Sequence, residues 1–193
     1  MSSYKIILAS KSPRRRELLA KLYPEFEVFT LDVDETLDDD IDIKDGTEIL
    51  AIRKGDAVAE ALGDDCLVIS SDTLVELDGV ALGKPSCEDE AYEMLSRLSG
   101  RTHNVYTGVA VHYLGRVFSG VARSGVKFRD ISGEEIREYI ATGEPMDKAG
   151  SYGIQGEGGK FVESFDGDFD TIMGLSLTLT EKLVNMALEG LSK

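Results

Sequence analysis

Hydrophobic and polar positions along this chain change period repeatedly between strand and helix spacing, which predicts a mixed α/β fold. The apolar run Lys5-Ile6-Ile7-Leu8-Ala9 reads as a buried strand over 5–9. Ser12 can cap a following helix and Pro13 suits its first turn, so a helix is expected over 13–22. Alternation predicts a second strand at 26–31. Residues 32–45 are dense in acid and read as a solvated loop, with Glu35 as the exception of chemical interest. Ile49, Ile52, Ala57 and Ala61 recur at helical spacing, giving a helix over 47–62 closed by Gly63.

Residues 66–70 form a short, buried-type strand. The segment 74–77, Asp78-Gly79 and 80–82 reads as a hairpin, because Asp-Gly suits a two-residue primed turn. Ser86 followed by Glu88, Asp89 and Glu90 starts a helix that Gly100 ends. Two β-rich runs, 104–113 and 117–129, meet at Leu114-Gly115 as a long hairpin. Ser132 with Glu135 makes a capping box for a helix reaching about residue 142. Beyond a glycine-rich segment at 150–159 come strand-like pieces at 160–165 and 169–173, then a final amphipathic helix over 180–188. No internal repeat or low-complexity linker interrupts the pattern.

Composition narrows the classes. The 193 residues suffice for one full core or for two small lobes. A formal net charge of -15 argues against a broad nucleic-acid or membrane-surface partner, both of which need an extended basic face. A nucleotide needs only a local cationic pocket and a divalent metal, so it stays open. No apolar stretch approaches the ~20 residues that cross a bilayer, and the run after Lys5 is too short for a secretory signal. Cys66 and Cys87 lack metal-site or redox-motif spacing, and His103 and His112 do not resemble a zinc motif. A cytoplasmic location is the expectation.

Against this acidic background, four of the 21 basic residues, Lys11, Arg14, Arg15 and Arg16, fall within one short stretch at the start of the first helix. A helix N-terminus offers unpaired N–H groups and a positive dipole end, and arginine's fork matches phosphate. A solvated helix face would account for the arginines equally well by themselves. Asp72, in Ser70-Ser71-Asp72-Thr73, is expected at the carboxyl end of the strand 66–70, where open α/β sheets bind ligands. There it could bind a metal or take a proton, or simply serve as an acidic turn residue. Lys84, before Pro85, has an extended backbone and could return towards Asp72 through the hairpin. The stretch 147–156 fits neither a P-loop nor a dinucleotide fingerprint. Its glycines permit close backbone approach to a ligand and Gln155 could read a base edge, but a tight structural loop fits as well.

Several ordered segments together are more specific: Leu8-Ala9-Ser10-Lys11-Ser12-Pro13-Arg14-Arg15, Val33-Asp34-Glu35-Thr36, Ser71-Asp72-Thr73, Gly83-Lys84-Pro85 and Asp147-Lys148-Ala149-Gly150-Ser151-Tyr152-Gly153-Ile154-Gln155-Gly156. With them the chain resembles the Maf family of nucleoside triphosphate pyrophosphatases over nearly its whole length. The resemblance implies an elongated α/β fold of the inosine-triphosphate pyrophosphatase kind. That fold has a mixed sheet and two lobes around a central cleft, with residues 1–193 forming one domain. It implies cleavage of a nucleoside triphosphate between the α- and β-phosphates with Mg²⁺ or Mn²⁺.

Carried over by position, the resemblance assigns Asp72, Lys84 and Glu35 to catalysis and Asp72 and Glu35 to the metal. Ser10, Arg14, Arg15, Lys54, Thr73 and Gln155 are assigned to substrate. The roles of Asp72 and Glu35 could be exchanged. In Pro13-Arg14-Arg15, Asp72-Thr73 and Tyr152-Gly153-Ile154-Gln155-Gly156 the chain resembles the family's dTTP/UTP branch, with the 7-methyl-GTP branch as the alternative. Ser71 stands where the family has a small apolar residue, and Ser176 where Gly-Leu-Pro is common, which implies a less rigid turn before the last helix. A homodimer is compatible with the resemblance. So is a nucleotide-binding regulator of septum formation without significant turnover, and a phosphatase releasing inorganic phosphate is the third class to separate.

Overall fold

The computed structural model describes residues 4–38, 41–63 and 65–189. Its strands are β1 (Lys5–Leu8), β2 (Glu27–Val28), β3 (Cys66–Leu77), β4 (Val80–Leu82), β5 (Thr102–Tyr113), β6 (Arg116–Phe128) and β7 (Val162–Asp166). Its α-helices are α1 (Pro13–Leu22), α2 (Ile43–Leu62), α3 (Glu88–Leu98), α4 (Gly133–Ala141), α5 (Phe169–Met173) and α6 (Leu177–Glu189). Among the described residues the strands join one mixed sheet in the order β2-β1-β3-β5-β6-β7, with β4 paired on β3. The mixed α/β class expected from the periodicity is therefore present.

The largest departure concerns β3. The expected strand 66–70 and the hairpin arm 74–77 are one continuous strand of 12 residues. Asp72 consequently lies inside β3, not at its carboxyl end. The polar triplet Ser70-Ser71-Asp72 hides this continuity in the sequence, because its burial is satisfied by the Ala51 and Gly174 carbonyls and by Lys54 rather than signalled by hydrophobicity.

The chain separates into two compact units. The first comprises Met1–Asp72, Thr107–Ala122 and Gly174–Lys193. Here β1 pairs in parallel with β2 and with β3, in register Ile7↔Val68 and Leu8↔Ile69. Parallel strands are covered on both faces, which explains why Ile6-Ile7-Leu8 and Leu67-Val68-Ile69 are uniformly apolar and buried. Ser12 caps α1 by accepting from the Arg15 N–H at 3.4 Å, with Pro13 in the first turn as expected. The strand expected over 26–31 shrinks to two residues. After Val28 the Phe29 N–H still bonds to the Leu8 carbonyl, at 3.2 Å, but Phe29 and Leu31 are exposed.

Helix α2 begins four residues before the expected 47, because Asp42 caps it by accepting from the Lys44 N–H at 2.9 Å. Within the acidic loop, residues 39 and 40 lie outside the described residues. Gly63, at φ 84°, closes α2 as expected. The β5–β6 turn at Leu114-Gly115 has both residues at positive φ, 50° and 67°. Helix α6 starts at Leu177 rather than 180. The Ser176 carbonyl accepts the Thr180 N–H at 2.9 Å and its Oγ accepts the Leu179 N–H at 3.4 Å, so Ser176 itself caps the helix.

The second unit comprises Thr73–Tyr106 and Arg123–Met173. The β3–β4 hairpin closes in register Leu77↔Val80, and Asp78 (φ 54°) with Gly79 (φ 77°) supplies the primed turn. Helix α3 has Cys87 at its cap without a side-chain bond. Ser86 instead donates its N–H and its hydroxyl to the Glu90 carboxylate, each at 2.6 Å. The Ser132–Glu135 capping box opens α4. Strand β7 runs antiparallel to β6. Residues 169–173, expected as a strand, form the short helix α5, because Gly167 at φ 106° turns the chain out of the sheet after Asp166. Leu77, Leu95, Leu98, Phe128, Tyr139 and Phe161 fill this unit's core. No helix among the described residues is long and apolar enough to cross a membrane.

Candidate active site

Two carboxylates of the first unit meet on one ammonium. Lys54 Nζ, on α2, lies 2.5 Å from Asp72 Oδ1 on β3 and 2.8 Å from Glu35 Oε1 in the loop before α2. Asp72 is buried, and a buried carboxylate persists as an ion only when a cation or hydrogen bonds compensate it. Glu35 is about half exposed, so the cluster is closed on the Asp72 side and open to solvent on the other.

Close docking of α2 on the sheet brings Lys54 there. A Cβ on Gly108 would run into the Thr47 backbone, and one on Gly55 into the His112 ring. Ser70 Oγ donates to the Ala51 carbonyl at 2.6 Å, fixing the helix one turn before Lys54. Ser70 and Asp72, two residues apart on one strand, face the same side and so both face α2. Arg53 was not singled out in the sequence. Its Nη1 donates to the carbonyls of Asp34 (2.5 Å) and Thr36 (2.9 Å), gripping the loop on both sides of Glu35. The only sequence signal for this docking was glycine inside a helical pattern, which marks close packing.

The start of α1 adjoins the same carboxylate. Arg15 Nε donates to the Gly174 carbonyl at 2.8 Å, and Nη1 to the Ser71 carbonyl at 2.7 Å and to Ser10 Oγ at 3.4 Å. Burial draws the guanidinium below its ordinary pKa, and the neighbouring Asp72 charge is the main opposing influence. Arg15 is thus a strut between β3 and the segment leading into α6, as well as a positive charge beside Asp72. Ser71 shares that work, its hydroxyl donating to Gly174 at 2.9 Å. Arg14 is half-buried, and no hydrogen bond or ion pair holds it among the described residues. Ser10 Oγ accepts from the Ser12 N–H and from Arg15, which leaves its own hydrogen for an incoming acceptor.

The structure therefore brings Ser10, Arg14, Arg15, Glu35, Lys54 and Asp72 together in the first unit. Lys84, Thr73 and Gln155 belong to the second. Lys84 is exposed between Gly83, whose carbonyl accepts the Gly150 N–H at 3.0 Å, and the buried Pro85. Thr73 is half-buried in β3, and Gln155 is exposed in the glycine-rich turn. Asp72 and Glu35 are hard oxygen donors of the type a divalent cation such as Mg²⁺ accepts, with further ligands from phosphate and water. Among the described residues no three His, Cys, Asp or Glu side chains gather into a metal cluster.

This architecture is a mixed α/β fold of the kind seen in a Ham1 protein. The structure of the Staphylococcus aureus Ham1 protein superposes with a TM-score of 0.51 over 97% of this chain and 98% of that one, at 15% sequence identity. Residues 5–187 match the Maf-like protein family, and the chain belongs to that family. It is 47% identical over 182 residues, 93% of each chain, to a Moorella thermoacetica protein named dTTP/UTP pyrophosphatase. It is 42% identical over 191 residues to a Thermococcus kodakarensis protein of the same name, covering 97% of this chain and 100% of that one. A Bacillus cereus dTTP/UTP pyrophosphatase matches at 47% over 173 residues, 90% of each.

Proposed function

We propose that this chain hydrolyses dTTP and UTP between the α- and β-phosphates, giving the nucleoside monophosphate and pyrophosphate. The observation that carries the reading is the Glu35–Lys54–Asp72 cluster beside the arginine-bearing start of α1. Two carboxylates on one ammonium, next to a cationic helix start in the same unit, support a hydrolytic site for a polyanion. The names of the relatives supply the substrate class.

In this mechanism Arg14, the Ser10 hydroxyl and the first N–H groups of α1 bind phosphate oxygens. Asp72 takes the proton of the attacking water, and Lys54, paired with both carboxylates, aligns Asp72 with Glu35. Asp72 and Glu35 would hold a divalent cation, which would supply charge neutralisation for the triphosphate and a lowered pKa for bound water. Lys84 balances the charge of the departing pyrophosphate, while Thr73 and Gln155 read the pyrimidine. These three roles rest on the family's motifs. The substrate class also points to work in the cytoplasm, and sedimentation of the purified chain reports whether it acts as a homodimer.

Product analysis tests the proposal, using purified protein with Mg²⁺ or Mn²⁺ and dTTP, UTP, CTP, GTP or 7-methyl-GTP. Pyrophosphate with dTMP or UMP is the expected result. Turnover of 7-methyl-GTP instead would overturn the base assignment, and inorganic phosphate as the product would make the chain a phosphatase. Tight nucleotide binding without product would make it a regulator.

A further inference from the structure

The glycine-rich turn of the second unit already holds an anion, and that anion is internal. Glu144 follows α4, and its carboxylate sits under the turn. Oε1 accepts the Tyr139 hydroxyl at 2.9 Å and the Gly158 N–H at 3.3 Å, and Oε2 accepts the Glu157 N–H at 3.0 Å. Tyr139 Oη in turn accepts the Gly153 N–H at 3.1 Å. The turn closes on itself through the Gly156 N–H to the Gly153 carbonyl, 3.2 Å. A Cβ on Gly156 would collide with the Glu144 carboxylate, one on Gly153 would come 3.0 Å from Glu144 Oε1, and one on Gly158 2.6 Å from Tyr139 Oη. The glycines at 153, 156 and 158 therefore make room for Glu144 and Tyr139. N–H groups that could have cradled a phosphate are committed to a carboxylate instead.

The turn presents a side chain rather than its backbone, and the side chain at its tip is Gln155, exposed between two pinned ends. The leading end is fixed a second time, because Tyr152 is buried with its hydroxyl 2.8 Å from His103 Nε2 and its ring edge-on to Phe128.

We infer that Glu144, with Tyr139, is a positioning residue for base recognition: the carboxylate fixes the turn so that the Gln155 amide meets the pyrimidine in one orientation. This deepens the proposed function and rests on it. Burial pushes the Glu144 carboxyl up, but the Glu157 N–H, the Tyr139 hydroxyl, the Gly158 N–H and the Lys148 charge together hold it below the ordinary carboxylate value. The pin is therefore an ion at neutral pH. An uncharged amide of the same shape would aim an N–H group at a backbone N–H.

The test is a mutant cycle with UTP and CTP as substrates. Glu144→Gln is expected to lower kcat/KM for UTP by about tenfold, mainly through KM, and to narrow the preference for UTP over CTP, as misplacing a binding group does. On a Gln155→Ala background the same substitution should change kcat/KM by no more than about twofold, because the group it positions is gone. Tyr139→Phe, which keeps the ring packed against Phe161, should repeat the pattern and carries the test if Glu144→Gln does not fold. Unchanged kinetics in Glu144→Gln, or an equal loss with and without Gln155, would overturn the inference, as would a Gln155→Ala enzyme identical to wild type. In each of those cases wild-type hydrolysis of UTP leaves the proposed function standing. Absence of wild-type turnover would instead remove both.

Discussion

Lys54 Nζ and Asp72 Oδ1 lie 2.5 Å apart, on side chains only 17% and 10% exposed, and they tie α2 to the middle of β3. A pair withdrawn from water this far is held by mutual compensation, so removing one partner strands the other. Lys54→Met should destabilise the protein and abolish most turnover. Lys54→Met combined with Asp72→Asn should recover much of the lost stability and none of the activity. Denaturant melts of the two single variants and the double give the coupling directly, and additive losses would show that the pair does not act as a unit.

Asp72→Asn tests the base. The amide keeps the shape and can still accept from Lys54, which is not stranded because it retains its ion pair with Glu35, so the melting temperature should stay near that of wild type. Turnover should fall at least ~10²-fold, the usual scale for losing a general base. Pyrophosphate release at saturating UTP is the measurement. Near-normal turnover would take Asp72 out of the reaction.

The parts of this molecule that were legible in the sequence are those whose signals are local. The strand–cap–helix start at residues 5–22, the Asp78-Gly79 hairpin and the Ser132–Glu135 capping box are each specified by neighbours, and each formed as expected. The length of β3 was not legible, because Ser70 and Ser71 are satisfied by Ala51 and Gly174, partners far away along the chain. The same distance hid the role of Arg15, which as sequence looks like a second phosphate ligand beside Arg14 but in the fold bonds two backbone carbonyls. Composition also could not separate a turn that cradles a ligand from one wrapped around Glu144, since both need glycine for close approach. Ser176 reads as a loss of rigidity relative to the family's proline, yet it supplies the cap of α6.

Adjacent arginines should consequently fail in different ways. Arg14→Ala should raise KM for the triphosphate with little change in melting temperature, because among the described residues no hydrogen bond or ion pair depends on it. Arg15→Lys cannot reproduce a planar fork spanning the Ser71 and Gly174 carbonyls. It should lower stability by about 1–3 kcal/mol, the scale for leaving buried acceptors without donors. Melting curves and UTP kinetics of both variants, measured side by side, separate the roles. Equal stability losses would mean that Arg14 is structural too.

His103 sets a pH dependence that belongs to folding rather than catalysis. The ring is 1% exposed, edge-on to Phe128, with Nε2 2.8 Å from the Tyr152 hydroxyl and Nδ1 unbonded among the described residues. Burial lowers its pKa from 6.5 to about 4. Between those values the unfolded chain binds a proton that the folded protein refuses, so folding stability rises with pH across the window. The contribution is fully present above pH 6.5 and is lost as pH falls towards 4, by ~3 kcal/mol at its full extent. His103→Gln keeps a polar partner for Tyr152 and carries no titrating group. Its unfolding free energy, measured in denaturant from pH 7.5 down to 4.5, should fall less steeply than that of wild type, while the carboxylates and His112 cancel in the difference. Identical slopes would show that His103 is not the group that couples acidification to unfolding.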